Sequence, residues 1–308
     1  MPVAAFGAIH LDTIAHAGVP ILRETSTPAR LSASPGGVAA NVARALARLG
    51  VATALAGNVG TDAEGDALLT RLVLEGIDVS AVRRSALPTG RYLALHDPDG
   101  SLAAAVVDGR ITDALAPGSF LPPAPTVERA DLWFLDANLP TSVIASLASA
   151  AGPRRIAADA VSQAKAARLT PVLFRLDMLF CNAAEAAAIL GRDKSYTDRT
   201  GPDETNAEGL ARALHGNGAR AVILSQGAEP VVLATDGKVV RIPTRKTPVV
   251  DVTGAGDALI AGTLAGLEFG LPLAAAVNAG VNAAALTLSQ AGAVADALSW
   301  PAIAPAPQ

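Results

Sequence analysis

The middle of the chain alternates short apolar runs with helical segments, and this alternation limits the possible folds more than any other feature. Four of the runs have the length and composition of buried strands: Leu132–Leu135, Ile156–Ala158, Met178–Phe180 and Ala221–Leu224. Strands that alternate with helices form parallel sheets that are covered by helices on both faces. We therefore predict a three-layer α/β/α fold with a central, mostly parallel sheet.

The rest of the chain extends this pattern towards both ends. The further predicted strands are Val3–Ile9, Val51–Ala56 and a terminal hairpin of Val231–Ala234 with Lys238–Ile242. One predicted helix begins after Gly36-Gly37 and ends at Gly50. Three others run over Asp62–Glu75, Gly254–Phe269 and Leu273–Ser289. The tail after Trp300 is expected to lie on the surface.

Between residues 79 and 107 the apolar runs become shorter and are separated by turns. Val79–Val82, Tyr92–Leu95 and Leu102–Val107 are predicted strands, with the turn Asp-Pro-Asp-Gly at 97–100 before the last one. Together with the region Ala15–Ser34 they can form a small sheet that is separate from the central one. A chain of 308 residues can accommodate one large α/β domain with such an appendage.

Composition and charge exclude several classes of protein. The net charge is −4 with no run of Lys or Arg, whereas a nucleic-acid binder needs a concentrated basic face. The single cysteine, Cys181, excludes an internal disulfide, and the four histidines have no metal-ligand spacing. Residues 269–295 carry no charge but are mostly Ala and Gly, which favours buried helices over a membrane span. With no export signal visible, a cytoplasmic location is expected.

The motif with the clearest chemical meaning is Asp-Val-Thr-Gly-Ala-Gly-Asp at 251–257, followed by an apolar helical stretch. Its small residues Gly254, Ala255 and Gly256 let the backbone approach a ligand, and a helix start offers N–H donors to an anion. Asp257 beside those donors can take a proton from an attacking hydroxyl. The alternative is that Asp251 and Asp257 only cap the loop and the helix.

Together with Gly-Gly-Val-Ala-Ala-Asn at 36–41, this motif makes the chain resemble the ribokinase-like, or PfkB, carbohydrate kinases along nearly its whole length. The resemblance implies an ATP-dependent kinase with Mg²⁺, in which Asp257 is the catalytic base and residues 254–256 form the anion hole. It also implies a ribokinase-like fold, here a single domain over 1–308. In that fold the small sheet, from about 12–35 and 79–110, is a β lid.

The nucleotide side of such a kinase maps onto four further positions. Asn-Ala-Ala-Glu at 182–185 resembles the family's NxxE element, in which Asn182 binds the nucleotide and Glu185 organises Mg²⁺ through water. The alternative for this pair is an ordinary helix cap. Ser225 and Gly227 resemble the family's nucleotide-contacting Thr-x-Gly, although Pro230 stands where a second glycine is common.

Two more pairs follow from the same resemblance. Asn278 and Asn282 lie four residues apart on one helical face, where the family places its adenine pocket; the alternative is two amides that pack helices. Asp251 and Thr253 resemble the family's monovalent-cation loop, which implies K⁺ beside the anion hole.

On the acceptor side, Asp12 follows the first strand and Asn41 follows the diglycine Gly36-Gly37. The resemblance implies that Asp12 and Asn41 bind sugar hydroxyls and that the two glycines serve substrate approach and lid hinging. Asp12 can equally be a turn residue, and Gly36-Gly37 a plain helix start. His10 neighbours Asp12 and is expected to be structural.

The middle region resembles the pseudouridine kinase branch, through Asp-Ala-Asn-Leu-Pro at 136–140 and a stretch from Asp159 to Leu169 that contains Val161, Ser162, Lys165 and Arg168. This implies the 5′-hydroxyl of pseudouridine as acceptor, with Asn138 and Lys165 at the substrate. Lys165 can also be a solvent-facing helix lysine. The chain has few aromatic residues and none stands out as a stacking partner for uracil.

Two other functions remain open. The nearer is a ribokinase- or fructokinase-like sugar kinase, and the more distant is a non-catalytic sugar or nucleotide sensor on the same fold. A Rossmann dehydrogenase is excluded because no G-x-G-x-x-G follows the first strand. An apolar small sheet needs cover, so a homodimer through the lid is expected.

Overall fold

The computed structural model describes residues 2–192 and 206–305. Its strands are β1 (Val3–Phe6), β2 (His10–Ala17), β3 (Ala29–Gly36), β4 (Thr53–Ala56), β5 (Asn58–Gly60), β6 (Arg83–Ser85), β7 (Gly90–His96), β8 (Leu102–Asp108), β9 (Leu132–Asp136), β10 (Arg155–Asp159), β11 (Met178–Asn182), β12 (Ala221–Gln226), β13 (Glu229–Thr235) and β14 (Lys238–Ile242).

The α-helices are α1 (Val38–Arg48), α2 (Ala63–Leu74), α3 (Arg110–Asp113), α4 (Pro125–Glu128), α5 (Thr141–Ala150), α6 (Gln163–Ala166), α7 (Ala183–Ile189), α8 (Ala207–Gly216), α9 (Ala255–Glu268), α10 (Leu273–Leu288) and α11 (Trp300–Ile303), with a 3₁₀ helix over Ala167–Arg175. No helix in the described part of the chain is long and apolar enough to cross a bilayer.

The central sheet contains eight of these strands in the order β14-β13-β12-β11-β10-β9-β1-β4. The six strands from β12 to β4 run parallel, and the hairpin of β13 and β14 adds an antiparallel edge. The strands β1, β4 and β9 are buried along their whole length, as expected for parallel strands with helices on both sides. The predicted parallel architecture is confirmed.

Each face of the sheet packs against its own layer of helices. On β1, Val3 and Ala5 face a core that includes α1, α9 and α10. Ala4 and Phe6 point the other way, into a core that includes α5, α7 and α8. This alternation between two apolar cores produces the three-layer α/β/α arrangement.

The uncharged stretch near the carboxyl end forms one of the tightest helix contacts in the protein. A Cβ at Gly280 of α10 would lie 2.3 Å from the carbonyl oxygen of Leu259 on α9. Small residues therefore serve close packing of α9 against α10, as the composition of this stretch indicated.

The small sheet has the strand order β3-β2-β7-β8. Along the chain, its strand β2 follows β1 of the central sheet, and β3 leads back into α1. Residues 29–34 of β3 and 102–107 of β8 are exposed, including Leu31, Val106 and Val107. The predicted small sheet is confirmed as a separate element, with apolar side chains on its surface.

Two predicted elements are wrong in detail. Val79–Val82 is a turn, because Asp78 Oδ1 accepts a hydrogen bond from the backbone N–H of Ser80 at 2.8 Å, and the strand forms only at β6. The tail forms the short helix α11, with Ile303 fully buried; residues 306–308 of that predicted tail lie outside the described residues.

Candidate active site

The loop before α9 has a fixed shape. Asp251 accepts hydrogen bonds from two backbone N–H groups, those of Thr253 and Gly292, each at 2.9 Å, so its carboxylate holds the loop together. Gly254 has φ of +75°, and a Cβ at this position would lie 2.1 Å from the carbonyl oxygen of Ala293. Both observations require glycine at 254.

The first turn of α9 faces the cleft. Ala258 donates the first hydrogen bond inside the helix, to the carbonyl of Gly254 at 2.8 Å. The N–H groups of Gly256 and Asp257 come before that first helical donor, as in any helix start. In the described structure, a Cβ added at Gly256 would meet no atom within 4 Å, so the space beside these donors is open. The helix start can therefore receive an anion.

Asp257 lies at this opening with its carboxylate held by one contact. The side-chain amide of Asn41, on α1, donates a hydrogen bond to Asp257 Oδ2 at 2.9 Å. Burial raises the pKa of Asp257 to about 7, and the negative charges of Asp136 and Asp12 act in the same direction. The Asn41 hydrogen bond opposes this rise because it stabilises the charged form. A carboxyl group with a pKa near 7 is suited to general base catalysis.

Asp12, on β2, approaches the same place from the small sheet. Its Oδ1 and Asn41 Oδ1 are buried and have no hydrogen-bond partner in the described part of the protein. A Cβ at Gly36 would lie 1.9 Å from Asp12 Oδ2, and Gly37 has φ of +94° with the carbonyl of Ala8 packed against it. The absence of a side chain at Gly36 thus leaves room for the Asp12 carboxylate, and the unpaired oxygens of Asp12 and Asn41 can accept ligand hydroxyls.

Three of the residues predicted to serve the nucleotide and Mg²⁺ share a cleft with Asp257. One cleft is lined by Asp257, Gly256, Asn182, Glu185 and Ser225. Asn182 ends β11 and Ser225 lies near the end of β12, so both lie at the carboxyl edge of the parallel strands. Ligands of open α/β sheets bind at this edge.

Asn182 and Glu185 also form a complete capping box at the start of α7. Asn182 Oδ1 accepts the N–H of Glu185 at 2.9 Å, and Glu185 Oε2 accepts the N–H of Asn182 at 2.8 Å. The two readings of this pair are therefore compatible, because a side chain that caps the helix still faces the cleft.

Comparisons with known proteins identify the family to which this geometry belongs. The model for the pfkB family carbohydrate kinases matches residues 3–300. This protein is a PfkB-family kinase. The chain is similar to the pseudouridine kinase of Escherichia coli (strain K12), 27% identical over 93% of this chain and 90% of the relative. It is 24% identical to the pseudouridine kinase of Arabidopsis thaliana, over 92% of this chain and 89% of that one.

A solved structure agrees with this assignment. The protein superimposes on a carbohydrate kinase from Agrobacterium tumefaciens with a TM-score of 0.81 at 27% identity, covering 98% of this chain and 95% of the other. The ribokinase-like fold predicted from the sequence is confirmed, and so is the kinase class.

The cleft of this PfkB kinase contains three carboxyl groups, those of Asp159, Glu185 and Asp257. Burial raises the pKa of Asp159 well above its usual value, and the neighbouring carboxylates of Glu185 and Asp257 raise it further. Burial also raises the pKa of Glu185. No group of three or more His, Cys, Asp or Glu side chains within residues 2–192 and 206–305 is arranged to hold a metal ion. The carboxyl oxygens of Glu185 and Asp159, which line this cleft, are hard ligands of the type that Mg²⁺ binds, and few of them are needed because Mg²⁺ keeps several of its waters.

The remaining predicted nucleotide residues are more dispersed. Gly227 takes φ of +63° in the turn between β12 and β13, and the carbonyl of Pro230 accepts the side-chain amide of Gln226 at 2.9 Å. The side-chain amide of Asn282 donates to the carbonyl of Ile303 at 2.8 Å, and Asn278 is half-buried one turn earlier on α10. The Asn282 contact favours the helix-packing alternative for that residue.

Asn138 and Lys165 meet near the acceptor side. Lys165 Nζ donates to Asn138 Oδ1 at 2.5 Å, which links the end of β9 to α6. Lys165 is half-buried, and its contact with Asn138 favours a position at the site over the solvent-facing alternative; burial lowers its pKa. Arg168 donates to the carbonyl of Asn138 at 2.7 Å and thereby supports the same loop.

Asp136 has a larger part in the site than the sequence indicated. Its carboxylate is fully buried and accepts three backbone N–H groups, from Ala8, Ala39 and Asn138, at 3.0 to 3.1 Å. A Cβ at Gly7 would lie 2.2 Å from this carboxylate. Asp136 thus joins the loops after β1 and β9 to the start of α1, next to Asp257.

Three more buried polar side chains were not assigned to the site by sequence reasoning. His10 Nε2, Asn58 Oδ1 and Thr112 Oγ1 are buried and lack hydrogen-bond partners among the described residues. Burial lowers the pKa of His10 to about 4, and the positive charge of nearby Lys165 acts in the same direction. Asn58 and Thr112 stand in no motif, so only their unpaired polar atoms identify them.

Proposed function

We propose that this PfkB kinase transfers the γ-phosphoryl group of ATP to the 5′-hydroxyl of pseudouridine. The observation that carries the proposal is the position of Asp257. Its carboxylate, bound to Asn41 at 2.9 Å, lies beside the open first turn of α9. A base and an anion-binding helix start at one point are the two groups that phosphoryl transfer to an alcohol needs.

In the proposed reaction, Asp257 accepts the proton of the acceptor hydroxyl as its oxygen attacks the γ-phosphorus. The bond from the γ-phosphorus to the bridging oxygen of ADP breaks, and ADP leaves with that oxygen. The N–H groups at Gly256 and Asp257, with the backbone of Gly254 and Ala255, stabilise the negative charge on the transferred group. A pKa of about 7 keeps Asp257 partly ionised at neutral pH and able to release the proton afterwards.

The nucleotide is proposed to lie in the cleft that Asn182, Ser225 and Gly256 line, with Gly227 at its edge. Glu185 would hold Mg²⁺ through water, and the ion would supply positive charge to the transferred phosphate oxygens. The bound cation would also relieve the repulsion between Glu185 and Asp159. K⁺ at Asp251 and Thr253 is proposed as an activator, acting next to the anion hole.

The acceptor is proposed to bind between Asp257 and the small sheet. Asp12 Oδ1 and Asn41 Oδ1, both without protein partners in the described structure, would accept the ribose hydroxyls. Beyond the ribose, Lys165 and Thr112 offer donors, and Asn58 Oδ1 offers an acceptor. An imide base presents both acceptors and a donor, so this polar region favours a pyrimidine-like nucleoside over a simple hexose.

Above the acceptor, the small sheet is proposed to act as a lid on a single domain and to be covered by the same sheet of a second copy. Leu31, Val106 and Val107 expose between 56% and 71% of their surfaces on it. Covering these side chains would remove apolar surface from water. Because the reaction consumes ATP, the proposed location is the cytoplasm.

An ATP-consumption screen with Mg²⁺ and K⁺ tests the substrate. Pseudouridine, uridine, cytidine, adenosine, ribose and fructose are compared by kcat/KM, and the phosphorylated position is identified by NMR. Pseudouridine is expected to give the highest kcat/KM. A preference for ribose or fructose would support the ribokinase- or fructokinase-like alternative, and turnover of none would favour a sensor.

A further inference from the structure

A buried ion pair lies behind the acceptor side and takes no part in the proposed reaction. Arg44, in the middle of α1, has only 8% of its side chain exposed. Its guanidinium makes two hydrogen bonds to Glu75 just after α2, with Nε to Oε2 at 2.6 Å and Nη2 to Oε1 at 3.2 Å. Arg71 also pairs with Glu75, at 2.7 Å.

The third contact of Arg44 reaches the small sheet. Its Nη1 donates to the carbonyl of Pro35 at 3.0 Å, and Pro35 stands directly before the diglycine that leads from β3 into α1. In the small sheet Leu11 is paired with Pro35, so the next residue of β2, Asp12, lies beside this anchored point. The Arg44 contact therefore fixes the base of the small sheet against the body.

Arg44 also acts on Asp12 through its charge. Burial raises the pKa of Asp12 to about 6, and the positive charge of Arg44 opposes that rise. Asp257 on α9 also interacts with Asp12, and Ser34 of β3 and Tyr92 of β7 are its register partners in the small sheet. Arg44 is the cation that acts on Asp12 in the described structure, so the ionisation of Asp12 depends on it.

Stability alone is a poor reason for this arrangement. Two charges that are removed from water lose hydration, and a buried ion pair is often no more stabilising than apolar residues of similar size. Apolar residues at these positions could neither donate a hydrogen bond to Pro35 nor place a positive charge near Asp12.

We propose that Arg44 is a positioning residue for the acceptor: it anchors the base of the small sheet through Pro35 and Glu75, and so holds the Asp12 carboxylate in place and negatively charged. The inference rests on the proposed function in so far as Asp12 contacts the acceptor. The effect on Asp12 itself can be measured without any substrate.

The first test is the titration of Asp12 by carbon-13 NMR of protein labelled at the aspartate carboxyl carbons, with the Asp12 signal assigned by its loss in Asp12→Asn. Arg44→Met is expected to move the titration midpoint upwards by about one pH unit, because an opposite charge has been removed. Arg48→Met is the matched control, since Arg48 lies one turn further along α1 and pairs with Asp296 at 3.0 Å.

Arg44→Met leaves Glu75 with Arg71 as its partner and can cost stability. The double variant Arg44→Met/Glu75→Met removes the buried pair as a unit and keeps the test valid if the single variant does not fold. An unchanged Asp12 midpoint in either folded variant overturns the inference, and so does an equal shift in Arg48→Met.

The second test is kinetic. Arg44→Met is expected to raise the KM for pseudouridine about tenfold and to leave the KM for ATP unchanged, because only the acceptor contact is displaced. Arg44→Lys keeps the charge and should retain the Asp12 midpoint while losing part of the effect on KM. A shifted midpoint with an unchanged acceptor KM would refute the positioning role. If the wild-type protein does not use pseudouridine, the proposed substrate is wrong, and the NMR titration still decides the inference about Arg44.

Discussion

The body around α9 and the small sheet differ in how closely their residues are packed. Around Gly254 and Gly280 the backbone segments approach so closely that no side chain fits, and the loop before α9 is fixed by hydrogen bonds such as those of Asp251. In the small sheet, β3 and β8 expose most of their side chains. The body buries most of its apolar side chains within one chain, whereas the small sheet leaves Leu31, Val106 and Val107 exposed. Under the proposed function, the chemistry would take place at the close-packed body, and the small sheet would contribute to acceptor binding.

The largest effect on the close-packed body is expected from Asp257→Asn. Loss of the base should lower kcat by about 10²- to 10⁴-fold, within the range of general base catalysis. The measurement is phosphoryl transfer under saturating ATP and acceptor, with circular dichroism to confirm the fold. Activity within a factor of two of the wild type would remove Asp257 from the mechanism.

The same variant should gain stability. The folded-state pKa of Asp257, about 7, is above that of an unfolded aspartate, so the folded state holds the proton more tightly. The Asp257 carboxyl group therefore lowers the free energy of unfolding by an amount that grows as the pH rises from about 4 to 7. Asp257→Asn is expected to raise Tm at pH 8 and to change it little at pH 4; equal shifts at both pH values would contradict this.

A pair of glycine variants separates the shape of the loop from its chemistry. Gly254→Ala introduces a Cβ that meets Ala293 at a residue with φ of +75°, so it should cost about 1–3 kcal/mol of stability, as well as activity. Gly256→Ala points its Cβ into open space and should keep the stability while hindering the anion. Urea unfolding and kcat/KM measure the two effects. Equal losses of stability in the two variants would contradict the close approach at 254.

A smaller effect is expected from the contact between α1 and α9. Asn41→Ala removes the hydrogen bond that favours ionised Asp257, so the pKa of Asp257 should rise above about 7. Because the base must be ionised to act, the acid side of the pH profile of kcat should move to higher pH. A profile that stays in place would show that Asn41 does not set the ionisation of Asp257.

The smallest effect on stability is expected in the small sheet. Leu31→Glu with Val106→Glu should change the unfolding free energy of the monomer by less than about 0.5 kcal/mol, because both side chains are already exposed. The same variant should shift a dimer towards monomer in light scattering. Leu74→Glu, an exposed position on the body, is the control and should leave the oligomeric state unchanged. A stable dimer in the double variant would place the interface elsewhere.

The arrangement of the central sheet followed from the sequence because strand and helix periodicity are local properties. Leu132–Leu135 and Ile156–Ala158 were placed within one residue of β9 and β10, since parallel strands that are buried on both faces need continuous apolar runs. The predicted strand at Val79–Val82 was wrong for a local reason that apolar content does not reveal, the turn that Asp78 makes with Ser80. The predicted surface position of the tail was wrong because of a distant contact, in which the carbonyl of Ile303 accepts a hydrogen bond from Asn282 on α10.

Local sequence was enough to predict the parallel fold, from its strand and helix periodicity, and the kinase class, from the motif at 251–257 and the segment at 36–41. The three-dimensional structure was needed to show that Asp136 joins three backbone segments, that Asn58 and Thr112 have polar atoms without partners among the described residues, and that Arg44 connects α1 with the small sheet. These contacts join residues far apart in the chain, and no local pattern specifies which distant partner a buried polar group will meet.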